Sequence, residues 1–364
     1  MATEPIAVSG RLAELVRPAA PRTRLAALAI ALPLVCVAAL GTGPISIAPG
    51  DVVRALLGRL DLVALLDDAS AMHSTVLLSI RLPRILLGVL VGATVSVAGA
   101  ALQGLFRNPL AEPGLIGVSG GAALAAAAAI VLGNELAWLL GPLQAAAVPF
   151  SAFAGGFVVT LIVYRLGTHA GRTDVTTMLL AGVAVQALTV SGIGFLQYLA
   201  DDTELRDLTF WTLGSLGGAN WRELALIAPW MLAVLAVIPL MHGPLNAMLL
   251  GEAEARHLGF NVERTKLILV TACSIAIGAA VFAAGIIAFV GLVVPHLTRL
   301  LVGPDHRFVL PGSMLLGAIL IVAADAVART AASPAELPIG ILFAALGAPF
   351  FVYLLRRSRG LGTL

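Results

Sequence analysis

Nine long stretches of the chain contain no Asp, Glu, Lys or Arg, and together they cover most of its 364 residues. A helix needs ~20 apolar residues to cross the hydrocarbon core of a bilayer, and a charge at its centre costs at least ~2.5 kcal/mol. The pattern therefore predicts a polytopic membrane protein. The stretches are residues 25–47, 85–106, 114–134, 136–164, 175–200, 224–251, 267–298, 308–324 and 337–355.

The stretch at 267–298 is too long for one span. At 1.5 Å per residue it would extend about 48 Å, against a hydrocarbon core of ~30 Å. It contains several glycines, and we expect it to break near Ala284 and Gly285. The break raises the predicted number of spanning helices to ten.

Basic residues gather at both ends of the chain: Arg11, Arg17, Arg22 and Arg24 before the first span, and Arg356, Arg357 and Arg359 after the last. Because basic residues favour the cytoplasmic side, both termini are expected there, which requires an even number of spans. We predict a cytoplasmic tail at 1–24, a single transmembrane domain at 25–356 and a second cytoplasmic tail at 357–364.

Composition supports the prediction of a membrane protein, because 59% of residues are hydrophobic, 12% are charged and the mean hydropathy is +1.00. The 38 glycines favour closely packed helices over a β-barrel, so the predicted fold class is all-α. Cys36 and Cys273 lie in apolar runs and indicate neither a disulfide framework nor a metal site. The sole lysine, Lys266, follows no glycine-rich phosphate loop, so any ATP chemistry must come from another chain.

Several separate motifs resemble the permease subunits of the ABC importers for iron-siderophores, haem and vitamin B12. They are RLPR at 81–84, NPLAEPG at 108–114, GVSGG at 117–121, GE at 251–252 with AR at 255–256 and LG at 258–259, GIIAFVGLVVPH at 285–296, ELPIG at 336–340 and GAPF at 347–350. The resemblance covers nearly the whole chain from about residue 25, in the order of the family.

This resemblance implies the type II importer fold, with ten helices per subunit and two copies of the chain enclosing one path. It also implies a cytoplasmic ATPase homodimer that binds ATP and Mg, a periplasmic binding protein and a place in the bacterial inner membrane. The chain itself is expected to be a transport subunit without a catalytic site, cofactor or resident metal. No nucleic-acid partner is expected.

The segment at about 242–266 is bracketed by glycines and is too polar to cross a membrane, so we expect one or two short helices on the cytoplasmic face. By itself such a segment can be a simple connector. The resemblance implies that it couples the chain to the ATPase through Leu250, Gly251, Glu252, Ala255, Arg256, Leu258 and Gly259.

Arg81, Arg84 and Arg329 lie on the predicted outer side, against the positive-inside tendency. The resemblance implies that they bind glutamates of the periplasmic binding protein, where the planar guanidinium can grip a carboxylate through two hydrogen bonds. The alternatives are arginines that reach the membrane interface, or Arg329 pairing with Asp325 one helical turn earlier.

The resemblance also places an inner gate at Asn108, Leu110, Val175, Thr176 and Thr177. Small or moderately polar side chains there would let a wide ligand pass without holding it. The alternative is structural: Asn108 can form a turn and Thr176 can cap a helix.

The segments at 198–207 and 209–218 look most like the haem-importing branch of the family, so haem is the predicted cargo. A ferric siderophore and a corrinoid remain alternatives. None of the six histidines falls in the middle of a predicted span, and the path need not bind iron, because a tight site would slow release.

Two other classes of protein compete with this prediction. Gly117 to Gly120 matches the Gly-x-Ser-Gly of rhomboid-type intramembrane proteases, but Ser119 would need a histidine at membrane depth. An ion-driven transporter would need carboxylates inside its spans, and Glu112, Asp174 and Asp325 are all predicted at span ends.

Overall fold

In the computed structural model, residues 20–43, 47–48, 50, 52, 75–133, 144–169, 172–331 and 335–361 are described. These residues are almost entirely helical, which confirms the all-α fold class. The helices are α1 Pro21–Gly41, α2 Leu82–Leu105, α3 Val118–Val131, α4 Gln144–Leu166, α5 Val175–Leu199, α6 Asp202–Thr212, α7 Trp221–Leu240, α8 His242–Leu250, α9 Glu252–His257, α10 Val262–Ala284, α11 Val290–Val302, α12 His306–Ala331 and α13 Ile339–Leu361.

Three smaller elements complete this part of the chain. A π-helical turn at Val76–Arg81 runs directly into α2, and a 3₁₀ turn at Pro113–Ile116 precedes α3. Strands β1 (Thr168–His169) and β2 (Arg172–Thr173) form an antiparallel hairpin immediately before α5. Most of the predicted N-terminal tail, residues 1–19, lies outside the described residues, and the predicted C-terminal tail begins as a continuation of α13.

Seven helices of the described residues are long and apolar enough to cross a membrane, and three shorter apolar helices accompany them. The three are α3, α11 and the part of α13 that ends at Val352. Together they correspond to the ten predicted segments, although three of these fall short of a full span. The predicted stretch at 224–251 ends as a span at Leu240, because the chain turns at Met241 before α8.

The predicted break between α10 and α11 is present at the expected position. Helix α10 ends at Ala284, and Gly285 follows with a positive φ of 67°. A side chain at Gly285 would collide with the carbonyl oxygen of Trp211, so this position requires glycine. The Ser215 amide donates to the Ala284 carbonyl at 2.8 Å, and such hydrogen bonds to freed backbone groups allow a break in a membrane bundle.

Helix α2 is the most deeply buried of the seven long helices. It packs against α7, α10, α11 and α12. Gly99 of α2 lies so close to the backbone of Gly291 in α11 that no Cβ would fit between them, and Gly92 meets Gly317 of α12 in the same way. Such close backbone approach is how helices associate in lipid, where no hydrophobic force drives them together.

Helix α5 contrasts with α2, because only a narrow stripe of it is buried. The buried residues are Met178, Gly182, Thr189 and Leu196, at helical spacing. Exposed polar side chains on the remaining surface include Gln186, Ser191 and Gln197. A lipid-facing helix rarely exposes such groups, so this surface is suited to another protein chain or an aqueous path.

Candidate functional site

The segment between α7 and α10 forms two short helices, as predicted. Gly251 separates α8 from α9 with a φ of 133°, a backbone conformation that a residue with a side chain rarely adopts. Glu252 and Glu254 lie in the first turn of α9, and Arg256 and His257 lie in its last turn. This charge order complements the helix dipole and favours the short helix.

The predicted coupling residues divide into an exposed and a buried set. Leu250 and Leu258 are 70% and 61% exposed, and they flank α9. Arg256 and Gly259 are also exposed, and Glu252 is half-buried. Ala255 is completely buried and Gly251 is buried, so these two residues seat α9 on the bundle and cannot themselves touch another chain in this conformation.

Beneath α9, a cluster of charged side chains joins three elements. We call Glu252, Arg256, Glu263 and Lys266 the inner charge cluster. Arg256 Nη2 lies 3.2 Å from Glu252 Oε2 and 3.1 Å from Glu263 Oε1. Lys266 Nζ lies 2.8 Å from Glu252 Oε1 and donates to the Thr173 carbonyl at 2.7 Å.

Lys266 is a functional candidate that the sequence analysis did not single out. It is 1% exposed, and it is the largest fully buried side chain of the described residues. A buried ammonium is costly unless it is paired and hydrogen-bonded, and Lys266 has the carboxylates of Glu252 and Glu263 and the Thr173 carbonyl around it. The signal in the sequence was that the only lysine of the chain follows Glu263 at the i,i+3 spacing of one helix face.

The predicted gate residues occupy two neighbouring segments. At the start of α5, Asp174 rather than Thr176 caps the helix: its Oδ2 accepts from the Thr177 amide at 2.8 Å and from the Thr177 hydroxyl at 2.5 Å. These hydrogen bonds from Thr177 hold the pKa of the Asp174 carboxyl below its usual range. Thr176 is exposed and Val175 is half-buried.

After α2, Asn108 forms the predicted turn, because its Oδ1 accepts from the Leu110 amide at 2.9 Å. Leu110 is exposed. An open cavity of about 510 Å³ lies between Thr177 and the inner charge cluster, and Arg107 also lines it. The structure therefore brings the gate end of α5 next to α9, whereas Asn108 and Leu110 do not line this cavity.

The three outer arginines are buried, which the sequence analysis did not anticipate. Arg84 Nη2 lies 2.8 Å from Asp325 Oδ1 and 2.9 Å from Glu336 Oε2. Arg329 Nε lies 3.0 Å from Asp325 Oδ2, which is the i,i+4 pairing considered as an alternative. We call Arg84, Asp325, Arg329 and Glu336 the outer charge cluster.

Two of the outer arginines also donate hydrogen bonds to the last carbonyls of α1. Arg81 Nη1 donates to the Leu40 carbonyl at 2.6 Å, and Arg329 Nη2 donates to the Ala39 carbonyl at 3.2 Å. The last carbonyls of a helix lack intrahelical partners and carry partial negative charge, so cations stabilise them. Docking of a binding protein at these arginines stays a prediction, because in this conformation all three guanidinium groups are held within the chain.

The burial of these charges also explains two helix boundaries that differ from the predicted ones. The helix predicted to begin at 85 starts with the π turn at Val76, and α12 continues beyond 324 to Ala331. The charge criterion began the first segment too late and ended the second too early, because ion pairs inside the bundle let charged residues remain within a helix.

Glu112 lies beside the middle of α2 and not at a span end, which corrects the sequence expectation. It lines a cavity of about 210 Å³ together with Val91, Val95 and Ser119. Its Oε1 accepts from the Phe289 amide at 3.3 Å, at the start of α11. None of the described residues that line this cavity is a histidine, so the partner that a rhomboid-type serine requires is not beside Ser119 in this part of the chain.

Comparison with known proteins agrees with this architecture. The chain is 45% identical to the hemin transport system permease HmuU of Yersinia pestis over 282 residues, which is 78% of this chain and 83% of that protein. It is also 45% identical to the cobalamin import system permease BtuC of Halobacterium salinarum over 278 residues, 76% of this chain and 72% of that protein.

A solved structure of a metal-chelate type ABC transporter in an inward-facing conformation matches with a TM-score of 0.78 and 31% identity. The match covers 92% of this chain and 98% of that one. Residues 30–357 match the model of the FecCD transport family. The chain therefore belongs to the FecCD transport family and is one of its polytopic ABC-importer permeases.

Proposed function

We propose that this chain is the membrane permease that carries haem from a periplasmic binding protein across the bacterial inner membrane, driven by a separate cytoplasmic ATPase. The observation that carries the proposal is the position of α9. Two exposed leucines flank it, where another chain can reach them, and it borders the same cavity as the gate end of α5. A force applied to this helix from outside would therefore act beside the gate.

The assembly contains a second copy of the chain, with the path between the two copies. Exposed glutamine and serine side chains on α5 support this arrangement, because the cost of exposing them to lipid disappears if they face a shared path. Both termini and α8–α9 lie in the cytoplasm. The outer charge cluster lies on the periplasmic side, where Glu336, whose side chain is 40% exposed, is accessible to a binding protein.

Haem is favoured over a ferric siderophore by the aromatic residues at the outer end of the path. Phe195 and Tyr198 of α5 and Phe210 of α6 are all exposed. Aromatic faces suit a flat, apolar macrocycle better than a polar iron-siderophore. The corrinoid cargo of the BtuC relatives is the main alternative, because identity to the haem and cobalamin permeases is equal.

The cargo is tested by uptake into proteoliposomes that contain this permease and its ATPase, with haem, a ferric hydroxamate siderophore or cobalamin supplied on the binding protein. We expect haem to accumulate in an ATP-dependent manner and the other two to remain outside. Accumulation of cobalamin or siderophore without haem would discard haem and retain the importer role.

A substitution makes the cargo test specific to this chain. Tyr198→Ala should slow haem uptake by roughly threefold or more, since an aromatic contact contributes ~0.5–1.5 kcal/mol beyond its buried area. Leu188→Ala is the matched control, because Leu188 is also on α5 and strongly exposed but is not aromatic. Equal uptake by both variants and the parent would remove the aromatic argument for haem.

A further inference from the structure

The inner charge cluster connects α9 to the start of α5 through two side chains of α10, Lys266 and Glu263, of which only Lys266 is fully buried. Lys266 belongs to α10, yet its ammonium is bound by Glu252 of α9 and by the backbone of β2. Because the side chain is 1% exposed, it cannot be a contact for another protein. Its role therefore lies in the connection that it makes between α9, α10 and β2.

Strand β2 is held at Thr173 through both backbone polar groups of that residue. The Thr173 carbonyl accepts from Lys266 Nζ, and the Thr173 amide donates to Glu263 Oε2 at 3.0 Å. Both partners come from the first turns of α10. The backbone at Thr173 is thus bound to the start of α10. Glu252 of α9 is bound to the same end of α10, through Lys266.

The next residue along the chain is the cap of α5. Asp174 follows Thr173 directly and holds the Thr177 amide and hydroxyl. From α9 to the first turn of α5, the connection therefore runs through Glu252, Lys266 and Thr173 without a gap larger than one hydrogen bond. Charge-assisted hydrogen bonds of this kind are short, directional and stronger than neutral ones.

We infer that Lys266 is a positioning residue that transmits movement of α9 to the gate end of α5, so that ATP hydrolysis in the partner opens the path. This inference rests on the proposed function, in which α9 receives the ATPase. Lys266 neither contacts cargo nor binds the ATPase. Without it, only the partly exposed pair of Arg256 and Glu263 would still link α9 to β2, so movement of α9 would be passed less completely to β2 and α5.

Lys266→Met tests the inference by separating hydrolysis from transport. Methionine keeps an unbranched apolar chain of similar length, and Glu252 and Glu263 both keep Arg256 as a partner. ATP hydrolysis and haem uptake are measured on the same proteoliposomes. We expect hydrolysis to persist and the number of ATP molecules consumed per haem imported to rise by roughly fivefold or more, within the usual range of coupling between two sites.

Arg264→Met is the matched control, because Arg264 is a cation in the same turn of α10 but is exposed. It should leave the ratio of ATP to haem unchanged. Lys266→Arg, which keeps the charge and the donors, should recover much of the coupling. A purely structural role for Lys266 would lower hydrolysis and uptake in parallel and leave their ratio at the parent value, which would overturn the inference.

The outcomes also separate this inference from the proposed function. If the parent complex imports nothing, the proposed function fails and the inference falls with it. If the parent imports cargo and Lys266→Met keeps the parent ratio, only the inference fails. If Lys266→Met does not assemble, Glu252→Gln decides, because it replaces the charged contact at Lys266 Nζ by a neutral one and leaves Lys266 in place; an unchanged ratio in that variant also overturns the inference.

Discussion

Asp325→Asn should lower the free energy of unfolding of this permease by about 3–5 kcal/mol, because breaking a buried ion pair leaves a buried charge without compensation. Asp325 is 2% exposed and pairs with both Arg84 and Arg329. Asparagine preserves the size of the side chain, so the effect isolates the charge. The measurement is unfolding of the detergent-solubilised protein by a graded denaturant, followed by tryptophan fluorescence.

Glu336→Gln is the matched control for Asp325→Asn. It removes a carboxylate from the same outer charge cluster, but the Glu336 side chain is 40% exposed. Partly exposed ion pairs contribute little, so we expect a loss below ~1 kcal/mol. If Asp325→Asn is as stable as the parent protein, the buried cluster does not hold α2 to α12 in the way described here.

The same geometry changes how docking of the binding protein should be tested. Charge reversal at Arg81 or Arg84 would place an acid against buried carbonyl or carboxylate oxygens, and it would lower the folded yield whether or not these residues dock a partner. A loss of transport in such variants is therefore not informative by itself. Glu336→Gln avoids this problem, since it alters the accessible edge of the cluster.

A second large effect, on binding of the ATPase, is expected at the two exposed leucines that flank α9. Leu250→Asp combined with Leu258→Asp should prevent the ATPase from assembling with the permease. Burying one leucine side chain contributes ~1.5–3 kcal/mol, so the loss of two should weaken binding by about a hundredfold or more. The measurement is recovery of the ATPase with tagged permease from detergent solution.

Leu250→Met with Leu258→Met is the control for this pair, because methionine keeps the apolar volume. That variant should retain the ATPase. Both variants should elute as monodisperse permease, since the two leucines are exposed and contribute little to the fold. Normal ATPase recovery with the double aspartate variant would show that the partner binds elsewhere and would remove α9 as the coupling element.

Much of the fold could be predicted because lipid imposes simple constraints on length and charge. The break between α10 and α11 followed from a stretch too long for one span, and the two helices α8 and α9 followed from a polar segment between glycines. These are local properties of the chain. They require no knowledge of which helices are neighbours.

The partners of the charged side chains could not be predicted in the same way. Arg84 and Asp325 are 241 positions apart, and only the packing of α12 on α2 brings them together. Glu112 was misplaced for a related reason: the connection after α2 folds back beside α11, which no local pattern indicates. The sequence around Lys266 indicated only that no phosphate loop precedes it. Its structural role could not be predicted, because its partner on β2 is a backbone carbonyl, which has no sequence signature.

The central claim is that this permease moves its cargo with energy from another chain's ATP hydrolysis. The most direct test is haem accumulation in proteoliposomes that hold the permease with or without its ATPase, with ATP present, before and after a protonophore is added. We predict uptake only when the ATPase is present and no effect of the protonophore. Uptake without the ATPase, abolished by the protonophore, would contradict the account and identify an ion-driven transporter.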